Sequence, residues 1–231
     1  MTHPIRLDER LSLAYDLYDP CTLAADIGTD HAHLPAALLQ RGRCQRMILT
    51  DLSADALRNA RNEISRFRLS DRVSLRLGYG LEPLSEQCGI ISVTGMGGRT
   101  ISEILISGCE RLLGASLVLS AHTDLPLIRD AVGKIGYHLD REEPCFCAGR
   151  YYLVLRARPG FQPLTPQQIR LGGPLFSSSS PQLLPYVKRR RDVLQASLSG
   201  VLSAGSPDPA AVSRLRDDIA YYDDFIRERM I

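Results

Sequence analysis

Carboxylates recur in this 231-residue chain at the places where apolar runs stop. The run TLAA leads into Asp26, Gly28, Asp30, His31 and His33 within the string ADIGTDHAHLP, and RMILT leads into Asp51-Leu52. Later runs end in Gly78-Tyr79-Gly80, Gly95-Met96-Gly97-Gly98 and Ser120-Ala121-His122. One glycine after the first run gives no close-approach turn for a dinucleotide pyrophosphate, which needs G-x-G-x-x-G, and the neighbouring acids would repel that anion. The same acids suit a ligand with an ammonium group. Asp26 or Asp30 could place that group, Gly28 could let the backbone approach, and Asp51 has two oxygens for a pair of ribose hydroxyls. Taken singly, each Asp is also an ordinary helix cap; at successive strand ends around one glycine the ligand reading is the stronger. No metal is expected at His31 and His33, because an i, i+2 pair does not share one helix face and no carboxylate stands at a matching offset.

These residues need a scaffold that gathers strand ends. TLAADI reads as a short buried strand, and RMILTD, RVSLRL, GIISVTG and SLVLSA read as strands. Between them lie helical runs: Ile5 to Tyr18, HLPAALLQRG with Pro35 near its first turn and Gly42 as its stop, and SADALRNARNEISRF capped by Ser53 or Asp55. RTISEILISGCERLL and DLPLIRDAVGKIG are further helices. YHLDREEPCFC and RYYLVLRARP, joined by Ala148-Gly149, read as an antiparallel hairpin. Continuous apolar strands alternating with helices imply an α/β, Rossmann-like, doubly wound and mostly parallel sheet closed by that hairpin at one edge. Ligands of such sheets sit at the carboxyl ends of the strands, where these acids and glycines fall.

After Pro159 the texture changes. Pro, Gly and Ser enrich RPGFQPLTPQQ and LGGPLFSSSSP, so residues 161–231 are expected to be a linker, with the serines as a flexible hinge, and then a helical hairpin appended to a domain over 1–160. Leu184, Val187, Arg191, Leu194, Leu198 and Val201 step by threes and fours, as do Val212, Leu215, Ile219, Tyr222 and Ile226 beyond the break SAGSPDP. Two such stripes make an antiparallel, coiled-coil-like pair. Arg191 falls on the apolar stripe, where a charge needs a partner. Lys188-Arg189-Arg190, with Arg170, could track a phosphate backbone or be a solvated face.

Bulk properties leave these readings open. The chain is 44% hydrophobic with a net charge of +2, which tolerates nucleic acid without arguing for it. The basic residues are mostly Arg, better suited than Lys to phosphate. No apolar run approaches the ~18 residues of a membrane span, and the opening MTHPIRLDERLSLAYDLYDP lacks the regions of a signal peptide, so no membrane association is expected. The six cysteines show no C-x-x-C; Cys145 and Cys147 share a strand face, and metal binding there is the lesser reading beside free thiols that act as small hydrophobes. Free thiols imply a reducing cytoplasm. The oligomeric state is not set by the sequence; a monomer is favoured.

S-adenosylmethionine, with its amino-acid end, sulfonium and ribose, meets the demands of the strand-end acids. ADIGTDHAHLP, the RLG-YGL turn, TGMGGRTISEIL and the terminal RYYLV strand together resemble the bacterial tRNA (adenine-22-N1)-methyltransferase family, over Arg6 to Arg156, and the opening RLDERLSLAYDLY and the helical tail are similar in kind. The resemblance implies a Rossmann-like methyltransferase with a coiled-coil tail, S-adenosylmethionine as donor and tRNA as substrate. The cofactor set is then Asp26, Gly28, Asp51, Leu52, Gly78, Tyr79, Gly80, Gly95 and Met96. Asp30, His31 and His122, with the Gly95-Met96 backbone, fall on the acceptor side, and Lys188, Arg189, Arg190 and Arg170 on the RNA. Two positions depart from the family pattern. Tyr79 stands where an Asp usually takes the adenine amino group, and could stack on the ring instead. Ser120-Ala121-His122 replaces a pattern close to Q-P-N. Rival readings are a methyltransferase acting on a small molecule or protein, and a non-catalytic S-adenosylmethionine-binding protein; a nicotinamide enzyme is disfavoured by the missing glycines.

Overall fold

The computed structural model describes residues 4–203 and 206–229. Apolar runs form five parallel strands, β1 (Cys21–Ile27), β2 (Cys44–Asp51), β3 (Val73–Leu77), β4 (Ile90–Thr94) and β5 (Ser116–Ala121); β4 and β5 are buried over most of their length, whereas β3, at the sheet edge, has no buried residue. β6 (Tyr137–Cys147) and β7 (Arg150–Pro159) form the expected hairpin, and β7 inserts antiparallel beside β5. The sheet order is β3-β2-β1-β4-β5-β7-β6, so the winding direction reverses between β1 and β4. Ala148 (φ 48) and Gly149 (φ 78) close the hairpin with two left-handed residues, the turn whose twist matches paired strands.

Helices α1 (Glu9–Asp16), α2 (His33–Gln40), α3 (Ala54–Arg66), α4 (Gly98–Ser107) and α5 (Leu125–Lys134) flank the sheet. α1 is shorter than the run Ile5 to Tyr18, because Asp8 takes the Leu11 N–H at 2.7 Å and sets the start. Ser53, rather than Asp55, caps α3. One layer of the core joins Ala14, Leu38, Leu39, Met47, Leu49 and Ile64, all buried. A Cβ on Gly98 would stand 2.5 Å from the Thr123 carbonyl oxygen and 2.6 Å from that of Asp124. That glycine therefore lets α4 start hard against the turn after β5.

The chain divides into two compact units, Met1–Leu175 and Phe176–Ile231. The first runs on past residue 160. Pro166–Leu171 forms a helix, α6, with a capping box between Thr165 and Gln168, instead of an open linker. In the second unit the serines are not a slack hinge either: Ser178 is buried and its Oγ takes the Ser180 N–H, while Ser180 Oγ takes the Gln182 N–H. They lead into α7 (Leu183–Leu202), which packs with α8 (Pro209–Glu228). Arg191, on the inner stripe, reaches Asp223 of α8 and Asp192, each at 2.9 Å.

The Arg129–Glu142 pair ties the hairpin to α5 and α6. Both side chains are fully buried, Nε to Oε1 is 2.8 Å, and Nη1 donates to the carbonyls of Ile169 and Arg170. Replacing the arginine leaves a carboxylate buried without its cation, which costs more than the pair contributed. Arg129→Leu is expected to lower unfolding stability by about 3–5 kcal/mol in urea titrations. A loss below about 1 kcal/mol would contradict this role.

Candidate active site

The first loop folds over the β1/β4 switch point. Gly28 (φ 75) turns the chain, and the Gly28 and Thr29 N–H groups both donate to the Thr50 carbonyl, at 2.8 and 3.1 Å. Those amides are used within the sheet, which agrees with the absence of a pyrophosphate-binding turn. A cavity of about 270 Å³ opens beside the loop, bounded by Arg10 and Leu11 of α1, Asp26, residues 28–35 and Thr94-Gly95-Met96. A Cβ at Gly28 would fall 2.0 Å from Met96 Cε. The flexible Met96 thus covers the backbone that Gly28 leaves bare, and must swing aside for any ligand to reach it.

Asp26 is buried on β1. Ser92 of β4 donates to its Oδ1, and Tyr18 donates to Ser92 at 2.5 Å. The serine has one proton and two acceptors in range, Asp26 and the Ala25 carbonyl at 3.3 Å; the carboxylate is the stronger. Burial pushes Asp26 up to about 6, although Ser92, Thr29 and the charge of Arg10 all pull it down. Burial and the neighbouring carboxylate hold the Tyr18 phenol well above its usual range, so it remains a donor. Arg10 Nη1 is buried at the cavity with no hydrogen-bond partner among the described residues, and its guanidinium lies 5.6 Å from the Tyr152 ring centroid. A half-buried cation with one buried, idle donor beside a strained carboxylate is fitted to a zwitterion.

Asp51 ends β2. Its Oδ1 takes the Ser53 N–H at 2.8 Å, which leaves Oδ2 as the oxygen with open capacity; the expected use of both oxygens for ribose is reduced to that extent. The Gly78 N–H reaches the Asp51 carbonyl at 3.0 Å and brings the third-strand turn alongside. Leu52 is 70% exposed and Tyr79 37%, two apolar surfaces flanking Asp51 that suit an aromatic ring. Neither Asp51, Leu52 nor the Gly78-Tyr79-Gly80 turn borders the cavity of the first loop; they extend the site along the strand ends.

Asp30 and His31 border the cavity and meet each other at 3.2 Å, while Asn59 of α3 holds Asp30 Oδ1 at 3.1 Å. His31 and His33 do come onto one side, stacked with centroids 5.7 Å apart, against the helical expectation. Ala32 between them is left-handed (φ 49), so His31 lies before the helix that His33 begins, and helical spacing does not apply to the pair. Among the described residues no group of three or more His, Cys, Asp and Glu is placed to hold a metal. His122 lies outside the cavity and packs edge-on to Tyr152 at 5.4 Å. Lys188, Arg189 and Arg190 are on α7 of the second unit, whereas Arg170 is on α6 of the first.

Arg10 and Tyr152 are the residues that strand-end reasoning misses. Arg10 carried a signal: it sits three after Leu7 and four before Ala14, on the apolar face of α1, where a charge needs a reason.

Acidic strand ends around one glycine, at the switch point of a seven-stranded sheet whose last strand is antiparallel, define a small-molecule-binding Rossmann-like domain. The chain belongs to the methyltransferase-domain family, whose model matches residues 7–155. A tRNA (adenine(22)-N(1))-methyltransferase of Bacillus subtilis (strain 168) is 29% identical over 158 residues, which are 68% of this chain and 66% of that relative. Streptococcus pneumoniae Sp1610, in complex with S-adenosyl-L-methionine, superposes with a TM-score of 0.83 at 24% identity, covering 96% of this chain and 100% of that one. M. capricolum TrmK, in complex with the cofactor product S-adenosyl-homocysteine, gives a TM-score of 0.79 at 22% identity, covering 97% and 99%. At these identities the two structures establish a shared fold.

The state of Asp26 has a measurable consequence. Its folded value near 6 lies above the ordinary 3.8, so the folded protein holds the extra proton between those values. Stability contributed by that proton is full below about pH 4 and is lost as pH rises through about 6. Asp26→Asn is therefore expected to flatten this slope and raise neutral-pH stability, by on the order of 3 kcal/mol. Urea midpoints measured from pH 4 to 7 check it; an unchanged slope in the variant would refute the buried, strained carboxylate.

Proposed function

We propose that this chain transfers a methyl group from S-adenosylmethionine to N1 of adenine 22 in tRNA, in the cytoplasm. The observation that carries the cofactor is the cavity itself, with Asp26 on one wall and an idle Arg10 donor on another. Such a pair matches the ammonium and carboxylate of an amino acid. The substrate is carried by the B. subtilis relative, which is matched over about two thirds of its length.

S-adenosylmethionine, when bound, supplies an electrophilic methyl group on a sulfonium. Asp26 and Arg10 would hold its amino-acid end, Asp51 Oδ2 a ribose hydroxyl, and Leu52 and Tyr79 the faces of the adenine. Tyr79 would stack in place of a hydrogen-bonding acid at that turn. On the acceptor side the lone pair of N1 is nucleophilic without loss of a proton, so the protein has to extrude the base, exclude water and align it. Asp30, fixed by Asn59, accepts from the N6 amino group and stabilises the cation that forms on methylation; His31 shields that contact. Tyr152 and His122 offer the ring surface against which an extruded base stacks. Lys188, Arg189 and Arg190 contact phosphates, whereas Arg191 is committed to Asp192 and Asp223.

Mass spectrometry of nucleosides from unmodified tRNA incubated with the protein tests the reading. 1-Methyladenine at position 22 is the expected product. Methylated guanine or cytosine would overturn the acceptor, and cofactor binding with no methylation of any tRNA would favour a non-catalytic binder. Asp51→Ala is expected to weaken S-adenosylmethionine binding by about 2–4 kcal/mol in calorimetry; affinity unchanged within error would remove Asp51 from the site. Replacing Lys188, Arg189 and Arg190 with Gln should lower the salt dependence of tRNA binding by roughly 0.7–0.9 log units per lost phosphate contact, with cofactor affinity intact. An unchanged salt slope would make that run a solvated helix face.

A further inference from the structure

We infer that Cys21 and Cys44 form a peroxide-responsive dithiol, a modification site that closes to a reversible disulfide between the first two strands of the sheet. The inference is independent of the methyl-transfer reading.

β1 and β2 run parallel and in register from their first residues, so Cys21 stands opposite Cys44. Neighbouring strands lie about 4.8 Å apart, inside the window of about 4.4–6.8 Å that a disulfide needs between Cα atoms. Opposed residues project to the same side of the sheet, and here the two Sγ atoms are already 2.9 Å apart. The β-carbons therefore need no backbone rearrangement to bring the sulfurs to bonding distance. This differs from Cys145 and Cys147, which sit two apart on one strand and so stand about 6.6 Å apart along it.

The two thiols differ in access and acidity, which sets their order of reaction. Cys21 is half-buried and Cys44 buried, so an oxidant meets Cys21 first. The hydrogen bond from Cys44 holds the Cys21 thiol below its usual range, against burial and the Asp19 charge, and the same contact pushes Cys44 up. Cys21 is the attacking thiolate and Cys44 the protonated resolving thiol. In the first step the Cys21 thiolate attacks peroxide, the O–O bond breaks, and Cys21 becomes a sulfenic acid as hydroxide leaves. In the second, Cys44 sulfur displaces the sulfenic oxygen, the S–S bond forms, and the thiol proton leaves with that oxygen as water. Two thiols and one peroxide give one disulfide and two waters, and a small dithiol reverses it. As the first thiol to meet peroxide, Cys88 is a poor competitor of Cys21: it is buried, and burial pushes it up to about 11, which leaves it protonated.

Closure lies at the amino ends of β1 and β2, whereas Asp26 and Asp51 lie toward their carboxyl ends. The bond joins residues 23 apart and restricts the unfolded chain, so the oxidised protein should unfold at a higher midpoint and keep its affinity for S-adenosylmethionine.

The full chain is treated with limiting hydrogen peroxide, its remaining thiols are alkylated, and it is digested with trypsin without reduction. The expected product is peptide 11–41 joined to peptide 44–46 through Cys21 and Cys44, and dithiothreitol should restore both thiols. Exposed Cys109 reports that peroxide has acted. In Cys44→Ser, dimedone should trap Cys21 as the sulfenic acid. Cys109 oxidised while Cys21 and Cys44 both remain alkylatable would overturn the inference. So would Cys21 joined to Cys88, or Cys21 carried to the sulfinic acid beside a free Cys44 in the wild-type chain.

Discussion

The hydroxyl of Ser92 against the carboxylate of Asp26 is the contact on which the site depends. A carboxylate between two buried parallel strands loses its water, and one serine proton is only partial compensation. Tyr18 backs that serine from the chain leading into β1, so three segments converge on one negative charge. The sheet order makes this possible, because β1 and β4 are neighbours although 66 residues separate Asp26 from Ser92. Arg10 then stands over the cavity as the nearest source of positive charge, through space and without a direct bond. An under-compensated acid and an under-used base, held apart by the fold, form a site that a zwitterion would complete.

The remaining strand ends follow from the same register. Asp51 projects from β2 beside the first loop because the Gly28 and Thr29 amides bind the Thr50 carbonyl. The loop is rigid where it meets the sheet and exposed at Asp30 and His31, where a large substrate could meet it. Met96 is the movable part, since its methyl occupies the space that the absent side chain of Gly28 leaves open.

Much of this was legible in the residues. Strand runs, the Ala148-Gly149 turn and both stripes of the helical tail follow from local periodicity, which packing then enforces. Arg191, a charge on the inner stripe, needs a partner and has Asp223. What escaped depends on contacts distant in sequence. Tyr18 finds Ser92 across 74 residues, and Arg10 finds Tyr152 only once α1 lies over the last strands. The Pro- and Ser-rich stretch after Pro159 looked like slack chain because composition does not reveal a capping box or a serine turn; each depends on one side chain meeting one amide. The pairing of Cys21 with Cys44 likewise needs the strand register, which no spacing rule supplies.

If a ligand ammonium relieves the buried Asp26 carboxylate, carbon-detected NMR of that side-chain carboxyl reads the relief directly. Without ligand the Asp26 signal is expected to titrate near pH 6. With saturating S-adenosylmethionine the midpoint should move down by at least about one unit, as an opposite charge within contact distance demands. A midpoint that stays where it is on saturation would contradict it, whatever the affinity of the cofactor.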